Sequence, residues 1–221
     1  MLTFTEENYL KAIYHLSDAG GKAVMTNELA EQMNTKAASV TDMVKKLAAK
    51  ELISYEKYYG VNITAEGKSI ALMVIRKHRL WETFLVSKLN FPWDEVHEVA
   101  EQLEHIQSER LIDKLDAFLG HPATDPHGDP IPDHKGKIKA LPQVELAQVR
   151  SGYEGVITAV KDSDSKLLRY LDKIGARPGA KIRVLDREEY DESLEVVIGD
   201  SKVFVSKEVA KNVLVRNKGD N

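Results

Sequence analysis

The sequence predicts a mainly α-helical chain with α+β parts, arranged in three segments. Apolar residues recur at helical spacing through most of the first 119 positions, interrupted by one short alternating stretch. A proline-rich segment follows at 120–143 and holds five of the seven prolines. From about residue 146 the pattern changes to short β runs punctuated by glycine. Strands are expected in "GYEGVITAV", "AKIRVLDREE", "SLEVVIGD" and "KVFVS" and one helix at 164–174, which indicates a small SH3-like β-barrel. The predicted domains are therefore 1–64, 65–140 and 146–221.

The first domain reads as three short helices followed by a β-hairpin. Helices are expected at 5–19, 26–34 and 36–50, and only a few residues join the second to the third, as in a helix-turn-helix. The stretch "ELISYEKYYGVNITAEG" then alternates as strands at 52–55 and 61–64. This order indicates a winged helix-turn-helix; the alternative is a small α+β domain with no nucleic-acid role.

The second helix of a helix-turn-helix places its N-terminal residues in the major groove of DNA. Small side chains there allow close approach, hydroxyls can bond to bases or phosphates, and lysines can pair with phosphates. The residues expected to serve in these ways are Lys36, Ala38, Ser39, Thr41, Lys45, Lys46 and Lys57. Residues 36–57 carry five lysines against three acids, so charge alone favours a solvated helix face. The order of helices and hairpin is what favours DNA.

Composition excludes several classes of protein. At 43% hydrophobic and 30% charged residues the chain has an ordinary globular composition, and its formal charge of −4 points to no particular partner. Cysteine is absent, so there can be no disulfide and no thiolate, and any metal must use oxygen and nitrogen ligands. The N-terminus lacks a basic region and no apolar run reaches 18 residues, so a cytoplasmic location without a membrane partner is expected.

The middle domain predicts two longer helices, at 65–89 and 94–119, separated by "NFPW". The second of them carries an unusual charge pattern, because six carboxylates and two histidines occur from Asp94 to Glu109 and no lysine or arginine before Arg110. An apolar stripe is expected along one side of this helix, and its members are Val96, Val99, Ala100, Leu103 and Ile106.

Beside that stripe, four polar side chains fall within an arc of about 100°. They are His97, Glu101, Glu104 and His105. A bound cation would neutralise this surface, and imidazole and carboxylate groups at this spacing are suitable ligands; a hydrated acidic face is the alternative. The motif "RKHRLWE" adds His78 and Glu82 at i, i+4, so two neighbouring helices each offer a His/Glu pair, which favours a metal.

Together these features resemble the diphtheria-toxin-repressor family of metal-dependent transcriptional repressors. The resemblance covers essentially the whole chain and rests on the winged helix, "RKHRLWE", "VHEVAEQLEHI", the "HGDPIP" loop and the C-terminal SH3-like (FeoA-like) domain. It implies that 65–140 is a metal-binding and dimerisation domain. It further implies a homodimer that represses metal-uptake genes from palindromic double-stranded operator DNA.

The resemblance also implies one or two metal ions per subunit. The residues matching the first site are Asn8, Glu101, Glu104 and His105. Those matching the second are His78, Glu82 and His97, completed by Asp125 and His127 of the proline loop or by Asp162 or Asp164 of the last domain. In some manganese-responsive members the position of His78 joins the first site instead.

Three positions depart from the family pattern. Asn8 stands where aspartate or methionine is common, and Lys11 stands where one manganese-specific branch has a second glutamate. Glu101 replaces the cysteine of the iron-responsive founder, and a carboxylate suits hard Mn²⁺ or Fe²⁺. The expected metal is Mn²⁺, with Fe²⁺ as the alternative.

Other classes of function remain as alternatives. A metal-dependent hydrolase would be built on Glu101, Glu104, His105 and His97, but the chain has no nucleophile elbow, P-loop or H-E-x-x-H, so an enzyme is not expected. A winged-helix regulator that senses a small organic ligand would bind DNA whether or not chelator is present. No organic cofactor is expected. The SH3-like domain would complete a metal site, bind the chain's own loop "DPHGDPIP", or only stabilise the protein.

Overall fold

The computed structural model describes residues 2–139 and 142–217. Within them the helices are α1 Phe4–Leu16, α2 Thr26–Gln32, α3 Ala37–Ala49, α4 Ala65–Leu89, α5 Val96–Leu103, α6 Glu109–Phe118, α7 Ser165–Lys173 and α8 Lys207–Asn212. The strands are β1 Ile53–Glu56, β2 Gly60–Ile63, β3 Val144–Glu145, β4 Glu154–Val160, β5 Lys181–Arg187, β6 Leu194–Ile198, β7 Ser201–Val205 and β8 Val213–Asn217. None of the described helices combines the length and apolar character needed to span a bilayer.

Contacts divide the chain into two units. The first unit takes in the described residues of Met1–His78, Glu101–Glu109 and Pro132–Ile138. The second takes in those of Arg79–Ala100, Arg110–Ile131 and Lys139–Asn221. The sequence boundaries at 1–64, 65–140 and 146–221 stay predictions.

The first unit contains the winged helix-turn-helix that the sequence predicts. α1 begins at a capping box, in which Thr3 Oγ1 accepts from the Glu6 backbone N–H and Glu6 Oε2 accepts from that of Thr3. The hairpin β1–β2 pairs antiparallel, and an isolated bridge joins Val61 to Val24. A Cβ at Gly60 would lie 2.7 Å from the Val24 carbonyl oxygen, so glycine permits this close approach. The fully buried core between helices and hairpin comprises Leu10, Ile13, Val24, Leu29, Val40, Val44, Leu47 and Val61.

The middle helices confirm one prediction and correct another. α4 spans the residues expected of it, whereas the single helix expected at 94–119 is wrong, because α5 and α6 are separate helices. The break at 104–108 places Glu104 and His105 just after the end of α5, where both side chains find buried partners within the first unit. Ser108, a residue type favoured at a helix start, precedes α6.

The C-terminal part of the second unit is an antiparallel sheet of six strands in the order β3-β8-β4-β5-β6-β7. The strands expected in this part of the chain correspond to β4, β5, β6 and β7, and the helix expected at 164–174 corresponds to α7. The sequence did not predict β3, β8 and α8. The sheet and its helices surround a core that includes Leu146, Ile157, Leu168, Leu171, Val184, Leu194, Val196 and Val215. This is the SH3-like domain that the glycine-punctuated β runs predict.

A smaller apolar cluster of the second unit holds α4, α6 and the proline-rich loop together. Its buried members are Leu80, Ile112, Leu115 and Ile131, with Trp81, Phe84 and Leu119 packed against them. Arg79 fastens the loop from α4, since its Nη1 donates to the Pro130 carbonyl at 2.5 Å and its Nη2 to Asp129 at 3.2 Å. The loop is therefore held against α4 by both apolar and polar contacts.

Candidate metal centres and nucleic-acid interface

Glu104 is the centre of a polar cluster in the first unit, referred to below as the Glu104 cluster, in which it is grouped with Glu7, Lys11, His78, the exposed Glu101, His105 and the predicted ligand Asn8. The Glu104 side chain is fully buried. Lys11 Nζ lies 2.6 Å from its Oε1 and 2.9 Å from its Oε2, and His78 Nδ1 lies 2.6 Å from Oε2. Burial would raise the pKa of Glu104, but the hydrogen bond from His78 and the charge of Lys11 outweigh it and lower that pKa. Glu104 is therefore held as a carboxylate.

The His105 ring is held by two direct contacts. Its Nδ1 lies 2.6 Å from Glu7 Oε2, and Phe4 stacks on its ring with centroids 4.6 Å apart. Gln107 donates to the other oxygen of Glu7 at 3.0 Å. The remaining ring nitrogen, Nε2, lies 3.7 Å from Glu104 Oε1, so the nitrogen directed toward Glu104 is the one that a cation beside Glu104 would use.

The donor atoms of the Glu104 cluster fit a divalent cation in chemical type. The amide oxygen of Asn8 is buried and, among the described residues, accepts no hydrogen bond. Such an acceptor costs free energy unless a cation or donor satisfies it. Within the described part of the chain, Glu101, Glu104 and His105 do not form one set of donor atoms within 4.8 Å of one another. Lys11 lies among them, 3.5 Å from Glu101.

A second candidate centre lies in the second unit and is called the Glu82 cluster. It comprises Glu82, Asp125 and His127, all buried, each of which offers one donor atom within 4.8 Å of the others. His97 extends it, since its Nδ1 lies 3.5 Å from Glu82 Oε1. Two carboxylates and an imidazole in a buried pocket are a suitable ligand set for Mn²⁺, Fe²⁺ or Zn²⁺.

Burial and neighbouring charges together shift the pKa values of the Glu82 cluster. His127 Nε2 donates to the Trp93 carbonyl at 2.7 Å, and its Nδ1 lies 3.6 Å from Glu82. Burial would lower the pKa of His127, but the hydrogen bond and charge of Glu82 and the charge of Asp125 raise it to about 9. Burial, followed by the charges of Asp129 and Glu82, raises the pKa of Asp125 to about 7. The imidazolium of His127 thus supplies positive charge to this cluster.

The remaining predicted ligands, Asp162 and Asp164, accept hydrogen bonds from backbone N–H groups around the start of α7. Asp164 caps α7 by accepting from the backbone N–H groups of Lys166 and Leu167, and Asp162 accepts from the backbone N–H of Asp164. Both carboxylates are exposed. A ligand role for Asp162 or Asp164 stays a prediction, as does the grouping of His78 with Glu82 and His97, which takes residues from both units.

The predicted DNA-contacting residues lie on α3 and the hairpin. Five exposed side chains are Lys36, Ala38, Ser39, Lys45 and Lys46, and Lys57 is exposed in the turn between β1 and β2. The Thr41 hydroxyl donates to the Ala37 carbonyl at 2.9 Å. The turn also presents Tyr58 and Tyr59, which are 82% and 74% exposed and were not predicted as contacts. Contact of these residues with DNA stays a prediction.

α1 carries two adjacent glutamates whose roles the sequence did not indicate. Glu7 contacts His105, as described above, whereas Glu6 contacts the recognition helix α3 and its end. Glu6 is fully buried, and its Oε1 lies 2.6 Å from Lys50 Nζ and 3.2 Å from Lys46 Nζ. The sequence "TFTEEN" shows an acid three residues after a capping threonine, but the lysine partners of this acid are 40 and 44 residues distant in sequence.

Comparisons with known domain families cover nearly all of the chain. Residues 1–61 match the iron dependent repressor N-terminal DNA binding domain. Residues 64–133 match the iron dependent repressor metal binding and dimerisation domain, and residues 144–217 match the FeoA domain. The three matches follow one another in the order of the three predicted segments.

Individual relatives are similar over almost their full length. A manganese-dependent transcriptional repressor in complex with manganese is 36% identical, with a TM-score of 0.84 over 96% of this chain and 99% of that one. The manganese regulator SloR is 32% identical, with a TM-score of 0.73 over 96% and 98%. The diphtheria toxin repressor of Corynebacterium jeikeium (strain K411) is 27% identical over 97% of both chains. Two of the three matched domains are those of iron dependent repressors, the relatives are transcriptional repressors and not enzymes, and the chain belongs to the diphtheria-toxin-repressor family of metal-dependent, DNA-binding transcriptional repressors.

Proposed function

We propose that this protein is a manganese-dependent repressor that binds, as a homodimer, palindromic operators upstream of metal-uptake genes. The observation that supports manganese best is that the candidate ligands of both clusters offer only carboxylate, amide and imidazole donor atoms, in a chain without cysteine. The full-length similarity to a manganese-dependent repressor points in the same direction. Fe²⁺ is the alternative, since the matched domain families are named for iron.

The first metal ion would be held by Asn8, Glu101, Glu104 and His105, with His78 beside them. The second would be held by Glu82, Asp125 and His127, with His97 beside Glu82. A bound divalent ion supplies positive charge that balances the buried carboxylates of each cluster. It would also satisfy the amide oxygen of Asn8, which accepts no hydrogen bond from the described residues.

α1 provides a route from the Glu104 cluster to the DNA-binding helix. Glu7 joins α1 to His105, and the neighbouring Glu6 joins α1 to Lys46 and Lys50 at the end of α3. A change in the position of α1 would therefore be transmitted to α3 through the ion pairs that the buried Glu6 forms with these two lysines. In a dimer this would adjust the two recognition helices to the spacing of two half-sites. Differential affinity of metal for that arrangement would couple metal to DNA, typically about 5- to 150-fold.

Fluorescence anisotropy of a labelled palindromic operator fragment tests this function. The full chain is titrated at one fixed salt concentration, because affinity for DNA depends on salt. Parallel titrations contain chelator, Mn²⁺, Fe²⁺ without oxygen, and Zn²⁺. We expect tight binding only with metal, and the metal effective at the lowest free concentration distinguishes manganese from iron.

Two variants connect the response to the clusters. Glu104→Gln and Asp125→Asn should each weaken metal-dependent operator binding, whereas Glu195→Gln, which breaks an ion pair on the surface of the last domain, should not. Operator binding that is unchanged by chelator would contradict the proposal and favour a regulator that senses a small organic ligand.

A further inference from the structure

Lys11 occupies an unusual position for a lysine. Its side chain is only 15% exposed, and its ammonium group bridges both oxygens of the fully buried Glu104. A third contact reaches Glu101 at 3.5 Å. Lysine side chains normally keep their charged end in water, and ion pairs at the surface contribute little. This pair is of another kind, because one partner is completely buried.

The contacts of Lys11 use the lone pairs that a metal ion would need. Glu104 Oε1 accepts from Lys11, and Oε2 accepts from Lys11 and lies within hydrogen-bond distance of His78. Both oxygens are therefore engaged by cationic or hydrogen-bonding groups that the chain itself provides. An ammonium group and a divalent ion repel each other, so Lys11 at these distances competes with a metal ion for the Glu104 carboxylate.

The same cluster receives positive charge from a second lysine. Lys77 on α4 is partly buried, and its charge interacts with those of Glu7 and Glu104. Two carboxylates of the run from Asp94 to Glu109 thus receive positive charge in the fold: Glu101 and Glu104 from Lys11 of α1, and Glu104 also from Lys77 of α4.

We propose that Lys11 is an internal counter-cation of the first metal site, which neutralises Glu104 in the metal-free protein and must withdraw before a metal ion binds. The consequence is a lowered metal affinity at this site, so that it fills only when free metal is abundant. This proposal rests on the proposed function in taking the Glu104 cluster as a metal site. It goes beyond that function in assigning Lys11 the role of setting its affinity.

Mn²⁺ titration of the full chain, followed by the electron paramagnetic resonance signal of free Mn²⁺, tests the proposal. The variants are Lys11→Met, which removes the charge but retains much of the apolar stem, and Lys11→Arg, which retains the charge. The matched control is Lys202→Met, because Lys202 Nζ forms a comparable 2.7 Å pair with Glu195 in the last domain. Each variant is also made with Asp125→Asn, which removes a ligand of the Glu82 cluster, so that the titration reports the Glu104 cluster.

We expect Lys11→Met to bind Mn²⁺ at this cluster about tenfold or more tightly than the unaltered chain, whereas Lys11→Arg and Lys202→Met should not tighten binding. Thermal melting in chelator provides a second readout that involves no metal. Removing one partner of a buried ion pair leaves the other uncompensated, so Lys11→Met should melt at a lower temperature in chelator and gain more from Mn²⁺.

An unchanged or weaker Mn²⁺ affinity in Lys11→Met would overturn the proposal, even if the melting temperature in chelator falls, because Lys11 would then be a structural ion pair only. A different result would contradict the regulatory function, namely that the unaltered chain binds the operator equally well with and without chelator. Tighter Mn²⁺ binding by Lys11→Met would support the counter-cation role even in that case.

Discussion

Glu7 Oε2 lies 2.6 Å from His105 Nδ1, and both side chains are buried. This contact joins α1 to the residue that follows the end of α5. It also orients the imidazole, because a ring nitrogen engaged by a carboxylate leaves the other nitrogen for a metal. If the Glu104 cluster binds metal as proposed, we expect Glu7 to position its ligand His105.

Replacement of Glu7 by glutamine should weaken Mn²⁺ binding at the Glu104 cluster. The amide retains the size of the side chain but removes the charge that makes the imidazole more basic, and losses of such partners typically cost about 10- to 100-fold in affinity. The Mn²⁺ titration described above measures this. Glu98→Gln, an exposed acid of α5, is the matched control. Equal affinities of Glu7→Gln and the control would argue against a positioning role.

Glu6 should stabilise the protein at neutral pH and cease to do so in acid. Burial opposes its charge, but hydrogen bonds from Lys50, the Thr3 backbone and Lys46 outweigh it and lower the pKa from 4.5 to about 2. A lowered folded-state pKa gives stability that is present above about pH 4.5 and is lost as pH falls toward 2. Because both lysine ends are partly exposed, water weakens the effect, and Glu6→Gln should cost about 1–2 kcal/mol at pH 7.

Urea denaturation at pH 7 and near pH 2.5 measures the contribution of Glu6. The difference between Glu6→Gln and the unaltered chain should shrink at the lower pH. Glu208→Gln breaks an exposed pair with Lys211 and should change stability little at either pH. A difference that persists unchanged in acid would mean that shape, and not charge, is what Glu6 contributes.

Asp125 should have the opposite effect on stability. Its pKa is raised from 3.8 to about 7, mainly by burial, so the folded state binds a proton more readily than the unfolded state. Stability is then lost as pH rises from about 4 through 7. Asparagine retains an oxygen that can accept from the backbone N–H groups of His127 and Asp129, and Asp125→Asn should stabilise the metal-free protein by about 1–3 kcal/mol at pH 8.

The same substitution should weaken metal binding at the Glu82 cluster, because it removes a charged ligand. Denaturation in chelator at pH 5 and pH 8, followed by Mn²⁺ titration at pH 8, separates the two effects. If Asp125→Asn is less stable than the unaltered chain at pH 8, the charges of Arg79 and His127 outweigh the cost of burying the carboxylate.

Gly128 permits the proline loop to lie against β4. Its φ is +91°, and a Cβ there would lie 2.0 Å from the Thr158 carbonyl oxygen and 2.5 Å from Ala159 Cα. Gly128→Ala should cost about 2 kcal/mol or more in unfolding free energy. It should also weaken metal binding at the Glu82 cluster, since the neighbouring His127 carbonyl accepts from the Val160 N–H.

Gly152→Ala is the control for Gly128→Ala. Gly152 has a similar φ of +86°, but a Cβ there would meet nothing within 4 Å. Its substitution should cost only the strain of the left-handed conformation, about 1 kcal/mol. Equal losses in the two variants would show that backbone strain alone, and not contact with β4, requires glycine at position 128.

Elements with a strong local pattern were predictable from the sequence. The bounds of α4 agree with the prediction, and the three N-terminal helices, the hairpin and α7 agree within a few residues. The signals used were the spacing of apolar residues, helix caps and turn residues. Because these signals are local, they can be recognised in a single sequence. The histidine and carboxylate spacing likewise indicated which residues to consider as metal ligands.

The sequence by itself therefore determined most of the elements, their order and the candidate ligands. The tertiary structure decided the break after α5, the place of β8 between β3 and β4, and the partners of the buried acids. Lys11 and Glu104 are 93 residues apart, and Glu7 and His105 are 98 apart. A buried charge needs a counter-charge, and the fold supplies it from a residue far away in the sequence. Local patterns in the chain do not identify such a distant partner.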